Sequence, residues 1–86
     1  MKELIGTVVV VDTSTSYIYI GTLAAVNDDC LVMEKVDVHD RSDIGISKEK
    51  YVLESRRHGV KPNREKTYVL REHVVSISPL DDVIKF

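Results

Sequence analysis

The chain has 86 residues, a net charge of −2 and a single cysteine, which allows one domain and excludes an intrachain disulfide or a cysteine-rich zinc site. At this length folding buries only roughly 60–65% of the unfolded surface, so a lone domain is marginally stable and self-association is the available staple. No apolar run, Val8 to Val11 included, approaches a membrane span, and Met1-Lys2-Glu3-Leu4-Ile5-Gly6 places a carboxylate and a glycine where a secretory signal needs an apolar core. The expectation is a soluble, cytoplasmic protein with no membrane partner.

The segment from Ile5 to Val11 is rich in β-branched residues and predicts a first strand, starting at once with no helix before it. Asp12 to Ser16 reads as a polar turn with no side chain large enough to pack. Tyr17 to Val26 predicts a long second strand, in which Gly21 marks a bend or bulge where a β carbon would obstruct curvature. Asn27-Asp28-Asp29 is a tight turn, and Cys30 to Val38 a third strand paired with the second as a hairpin.

From His39 to about Ile46 the sequence is polar and irregular. Ser47 is then placed as the N-cap of a short helix over 48–58. Arg56, Arg57 and His58 in its last turn suit the negative end of the helix dipole, and Gly59 is a natural stop. Tyr51, Val52 and Ser55 form its narrow packing stripe, and Pro62-Asn63 marks the exit. Lys66 to Arg71 predicts a fourth strand, Glu72-His73 a kink, and Val74 to Ser78 a fifth strand closed by Pro79. Leu80 to Phe86 is a partly apolar tail. The fold class expected is all-β: one domain over 1–86, a strongly bent five-stranded antiparallel sheet or small open barrel, with a helix-bearing insertion over 39–65.

Charge is unevenly distributed. Residues 1–46 carry three basic and eight acidic groups, residues 47–73 eight basic and four acidic. Arg56, Arg57, Lys61 and Arg64 fall close together and admit two readings, a solvated ionic face or an auxiliary surface for nucleic acid. Asp37, His39 and Asp40, with Asp43 nearby, are metal-ligand types, but the spacing is unspecific and a solvated strand end is expected instead. Cys30 reads as a small packing residue and His58 as a helix-terminal cation. No nucleophile–base pair, glycine-rich phosphate loop or converging carboxylate pair is visible, so neither catalysis, a metal nor a cofactor is expected.

Tyr19-Ile20-Gly21-Thr22-Leu23-Ala24-Ala25-Val26-Asn27-Asp28, continued by Leu31-Val32-Met33-Glu34, resembles the first motif of Sm and Sm-like proteins. Leu70-Arg71-Glu72-His73-Val74-Val75-Ser76-Ile77 resembles the second, with His73-Val74-Val75-Ser76 similar to the Hfq-like branch and Leu70-Arg71 to the archaeal and eukaryotic one. The resemblance implies an Sm-like fold whose subunits pair strand four with a neighbour's strand five, closing a homo-oligomeric ring of about five to seven copies. Tyr68, Val69, Leu70, Val74, Val75 and Ile77 would then lie at the subunit interface.

It also implies binding of single-stranded, uridine-rich RNA by two loops, here Asn27, Asp28 and Asp29 in the first and Arg71 and His73 in the second. The chain departs from the family pattern at several of these positions. Asp28 or Asp29 stands where the family places a stacking ring, Cys30 or Leu31 where it places a recognition asparagine, and Glu72 where it places lysine or glycine. Two aspartates and a glutamate per subunit would gather negative charge at a pore and repel phosphate. The sequence therefore supports a ring-forming RNA chaperone or scaffold, and as an alternative a ring-forming protein-interaction scaffold that has lost the RNA pore site.

Overall fold

The computed structural model describes residues 1–43 and 47–84; the end of the irregular stretch and the last two residues of the tail lie outside them. The β-branched runs become β1 (Val8–Thr13), β2 (Tyr17–Val26) and β3 (Cys30–Asp40). The insertion carries α1 (Lys48–His58), followed by β4 (Arg64–Leu70) and β5 (Val74–Pro79). The five strands form one antiparallel sheet in the order β4-β3-β2-β1-β5, so β4 and β5 are its two free edges. Among the described residues no helix is long and apolar enough to cross a membrane.

The bend expected at Gly21 is present. The β2–β3 register slips between Ile20 and Thr22, and opposite it Lys35 adopts φ 52°. A β carbon on Gly21 would lie 2.9 Å from both the Lys35 carbonyl oxygen and Val36 Cα, so only glycine admits β3 this closely. The extra residue at Lys35 keeps Leu31, Met33 and Val36 on one face across the bend.

Alternation along the strands gives the sheet two apolar faces. On the first, Val9, Val11, Leu23, Leu31, Met33, Val36 and Val69 pack together, joined by Val74 and Ile77 of β5. On the other, Val10, Ile18 and Ile20 are covered by Val52 of α1 and by Leu80. We refer to the second as the helix face. The stripe expected on α1 is the one it buries: Val52 and Ser55 face inward, and Tyr51 stacks on His39 of β3 with ring centroids 3.9 Å apart. Ser47 caps the helix, its hydroxyl accepting from Lys50 N at 3.2 Å, and Gly59 ends it at φ 87°.

Several expectations are corrected. A single 3-10 turn, Lys2–Leu4, precedes β1, and Gly6 at φ 89° turns the chain from it toward the strand. Thr13 does pack. It is buried and its hydroxyl donates to the Tyr17 carbonyl at 2.6 Å, closing the turn from inside. β3 runs to Asp40 because β2 remains beside it as far as Tyr17. β4 begins at Arg64 and ends at Leu70, since Arg71–His73 winds into a 3-10 turn. At the start of the partly apolar tail, Leu80–Asp82 forms a further 3-10 turn whose Leu80 is buried against α1's side of the core.

Candidate nucleic-acid interface

The β2–β3 turn and the β4–β5 turn, far apart in sequence, meet at one end of the sheet. The β3–β4 register pairs Cys30 with Leu70, which sets the chain just before β3 beside the chain just after β4. Arg71 then ties the turns together twice. Its backbone N–H donates to the Asp29 carbonyl at 2.9 Å, and its Nη1 donates to the Asn27 carbonyl at 3.0 Å. A shallow cleft of about 290 Å³ results, lined by Asp28, Asp29, Leu70, Arg71 and Glu72.

The residues expected from the sequence are thus largely in one place. Asn27 turns its amide toward Cys30 Sγ, 3.8 Å away, which makes the thiol a weak acceptor beside the turn. His73 lies next to the cleft without lining it. Its carbonyl accepts from Ser14 N at 2.8 Å, and its ring Nε2 stands 3.7 Å from a Glu72 carboxylate oxygen. The side chains at the cleft are one guanidinium against three carboxylates, and the guanidinium is already partly used on Asn27. A phosphate seated there meets net negative charge, whereas the Asp28 and Asp29 carboxylates can accept from the amino or imino groups of a base edge.

The basic residues of the insertion do not form one surface. Arg56 turns toward Asp81 at 3.9 Å, on the β5 side of α1. Arg57 and His58 both turn to Glu54, at 3.9 and 3.1 Å. Lys61 lines a different cleft, of about 220 Å³, with Asp37 and Tyr51, and Arg64 donates to the Asn63 carbonyl on the β4 edge. A helix disperses consecutive residues around its axis, and local carboxylates take up the charges nearest them.

The metal-ligand types on β3 also diverge. Asp40 accepts from the backbone and hydroxyl of Ser42, and these bonds hold its carboxyl below the ordinary aspartate range. His39 is not at a solvated strand end, because α1 covers it. Its Nε2 is buried, as is the hydroxyl of Tyr51, and neither has a hydrogen-bond partner among the described residues. Burial, with the Asp37 carboxylate adding to it, pushes the Tyr51 phenol well above its usual value. Among the described residues no three His, Cys, Asp or Glu side chains are grouped to hold a metal ion.

No protein-family model and no curated protein matches the sequence. Solved structures do match by shape. A Pyrococcus abyssii Sm protein in complex with a uridine heptamer superposes with a TM-score of 0.61 at 14% identity, over 90% of this chain and 87% of that one. The fold is Sm-like. A chain of the NatC complex bound to CoA superposes with a TM-score of 0.56 at 20% identity, over 87% of this chain and 77% of that one. A second NatC structure, bound to Gag peptide and CoA, gives the same score and identity.

In this Sm-like sheet the two free edges carry the apolar residues expected of an interface, with one redistribution. Tyr68, Leu70 and Val75 are 61%, 48% and 69% exposed. Val69 is buried in its own core, and Val74 and Ile77 pack partly against that core, so a partner strand would meet chiefly their backbone. Sequence reasoning missed Asn63. Its N–H donates to the Val36 carbonyl, its Oδ1 accepts from Val38 N and its Nδ2 donates to the Val38 carbonyl, at 2.9, 3.0 and 3.0 Å. The side-chain amide thereby continues the β3 ladder ahead of the start of β4, and the signal for it was only a turn-forming Pro-Asn pair.

Proposed function

We propose that this chain is a non-catalytic Sm-like subunit that pairs β4 with the β5 of a neighbouring copy to form a homo-oligomeric ring, and that the ring binds single-stranded RNA as a chaperone or scaffold. The observation that carries the reading is the convergence of Asn27–Asp29 and Arg71–His73 at one end of a sheet whose two edges are unpaired and apolar. Exposed apolar edge strands are an aggregation hazard unless a partner strand covers them, and a ring of head-to-tail copies covers every one. Similarity in shape to an Sm protein held with a uridine heptamer supports single-stranded RNA as the ligand class. With three carboxylates and one guanidinium in the cleft, recognition falls on base edges, and Arg71 supplies the one firm phosphate contact per subunit.

The test is a titration of uridine-rich and adenine-rich oligonucleotides at several salt concentrations. The reading expects saturable binding of one of them, with affinity falling on a log–log salt slope of about −0.7 for each phosphate neutralised on a single strand. A second reading has a specific observation in its favour. The same carboxylates that repel phosphate, together with the likeness to a chain that works inside a protein complex, favour a ring-forming scaffold whose ligand is protein. Assembly without oligonucleotide binding at low salt would decide for that second reading.

A further inference from the structure

The strands hold one another through backbone ladders; α1 is held differently. Among the described residues no hydrogen bond, from backbone or side chain, passes between Lys48–His58 and the five strands. The bonds of this segment run within the helix and to its caps, Ser47 and Gly59. Two ion pairs tie it down instead, Lys48 to Asp12 of β1 at 2.5 Å and Arg56 to Asp81 of the final turn at 3.9 Å. Its one buried apolar side chain is Val52, set on the helix face with Val10, Ile18 and Ile20.

The same seam is where the fold leaves polar groups unanswered. The buried side-chain atoms with no hydrogen-bond partner among the described residues are Asp12 Oδ1, His39 Nε2, the Tyr51 hydroxyl and Arg56 Nε. Each belongs to α1 or to a residue it meets. His39, in register with Ile18, is stacked on the Tyr51 ring, and Asp12 Oδ1 faces the Lys48 ammonium. Stripping water from an unpaired polar atom opposes burial, so in docking α1 these atoms work against one valine and a pair of stacked rings. The first face is built otherwise. Its core joins side chains of β1, β2, β3 and β4 and takes none from α1, so it stays whole when the helix leaves.

We propose that α1 is a releasable cover, which lifts from the sheet as one unit while the five strands stay folded. Lifting uncovers the apolar row Val10, Ile18 and Ile20, and it frees Lys48 and Arg56 from Asp12 and Asp81. Water then reaches the unpartnered atoms, which offsets part of the cost of exposing that row. Elements with few buried apolar contacts are the ones that open below the global unfolding free energy. The Lys48–Asp12 pair is the latch. A cation in the first turn is unfavourable to a helix by itself, so the Lys48 charge favours docking and not helix formation.

The test is native-state hydrogen exchange on the full chain, comparing α1 with β2 and β3. Neither α1 nor the β2–β3 pair lies at a free edge, so the comparison holds whether or not the chain assembles. After correction for intrinsic rates, the amides of residues 51–58 should exchange at least about 100-fold faster than the ladder amides of β2 and β3, and at nearly one common rate, as for a unit that opens together. Lys48→Met keeps the stem and removes the latch, and should speed α1 exchange by about threefold or more with the strands unchanged. A gain in intrinsic helix stability would slow it instead. Tyr51→Phe keeps the stacked ring and removes an unpartnered hydroxyl, and should slow α1 exchange by about fivefold. The proposal is overturned if α1 is protected as strongly as β2 and β3, or if its amides exchange in a gradient from the helix ends. It is equally overturned if the two substitutions leave α1 unchanged or move the strands with it.

Discussion

Gly21→Ala tests the bend on which the whole architecture depends. A single added methyl would sit 2.9 Å from the Lys35 carbonyl oxygen, 2.9 Å from Val36 Cα and 3.1 Å from the Glu34 carbonyl oxygen, against an ordinary contact that begins near 3.4 Å. All three atoms are backbone, so no side chain can swing aside, and β2 and β3 must separate locally to admit the methyl. Overpacking of this kind costs about 1–3 kcal/mol, and the rigid neighbours argue for the upper part of that range. Reduced entropy of the unfolded chain offsets about 0.4–1 kcal/mol. The net expected loss is about 2 kcal/mol, or a fall in Tm of about 8–16 °C for a domain of this size. Thermal and urea melts should be run at one fixed protein concentration, because assembly makes apparent stability depend on concentration. A change smaller than about 0.5 kcal/mol, or a gain, would mean that the strands do not approach at Gly21 as described.

Three further outcomes follow from other parts of the chain. Arg71→Ala removes the guanidinium and its bond to Asn27 while the backbone bond to Asp29 keeps the turns together, so oligonucleotide affinity should drop and the salt slope should shrink by about 0.7, since one phosphate fewer is neutralised on the single strand, with the melting temperature little changed. Asn63→Ala should cost about 1 kcal/mol in urea denaturation, the net value of the ladder bonds its amide makes at an exposed site, whereas Asn63→Asp keeps only the acceptor and should not rescue it. The raised Tyr51 phenol makes stability depend on alkaline pH. The folded state holds that proton more tightly than the unfolded chain, so stability is intact below the ordinary tyrosine value of 10.0 and declines as pH rises above it. Urea midpoints at pH 8, 10 and 11 should fall for the native chain, and Tyr51→Phe should flatten that part of the decline.

The elements that were legible in the sequence are those whose signals are local. Val8 to Val11, the alternation from Lys35 to Val38, the Ser47 cap with its Gly59 stop, and Gly21 in a long strand each encode their conformation within a few residues. The Asn27–Asp29 and Arg71–His73 turns were legible as a pair only through the resemblance to the two Sm motifs, because the Cys30–Leu70 register that brings them together spans the whole helix-bearing insertion. What was not legible depends on which surface the bent sheet leaves uncovered. Nothing near His39 says that Tyr51 will stack on it, and Leu80 carries no mark of being a core residue until α1 and β5 are in place. The basic residues from Arg56 to Arg64 look continuous as letters but turn to Asp81, Glu54 and Asn63 in space. Asn63 imitates a strand only because β4 begins no earlier than Arg64, so its role exists in the assembled sheet alone.

The solution mass of the purified protein by light scattering, with absorbance monitored for co-purifying nucleic acid, tests the central claim most directly. The account predicts a discrete species of about five to seven copies of the 9.7 kDa chain, with nucleic acid that is released as salt is raised. A stable 9.7 kDa monomer would contradict it, since both exposed edges would then be tolerated without a partner.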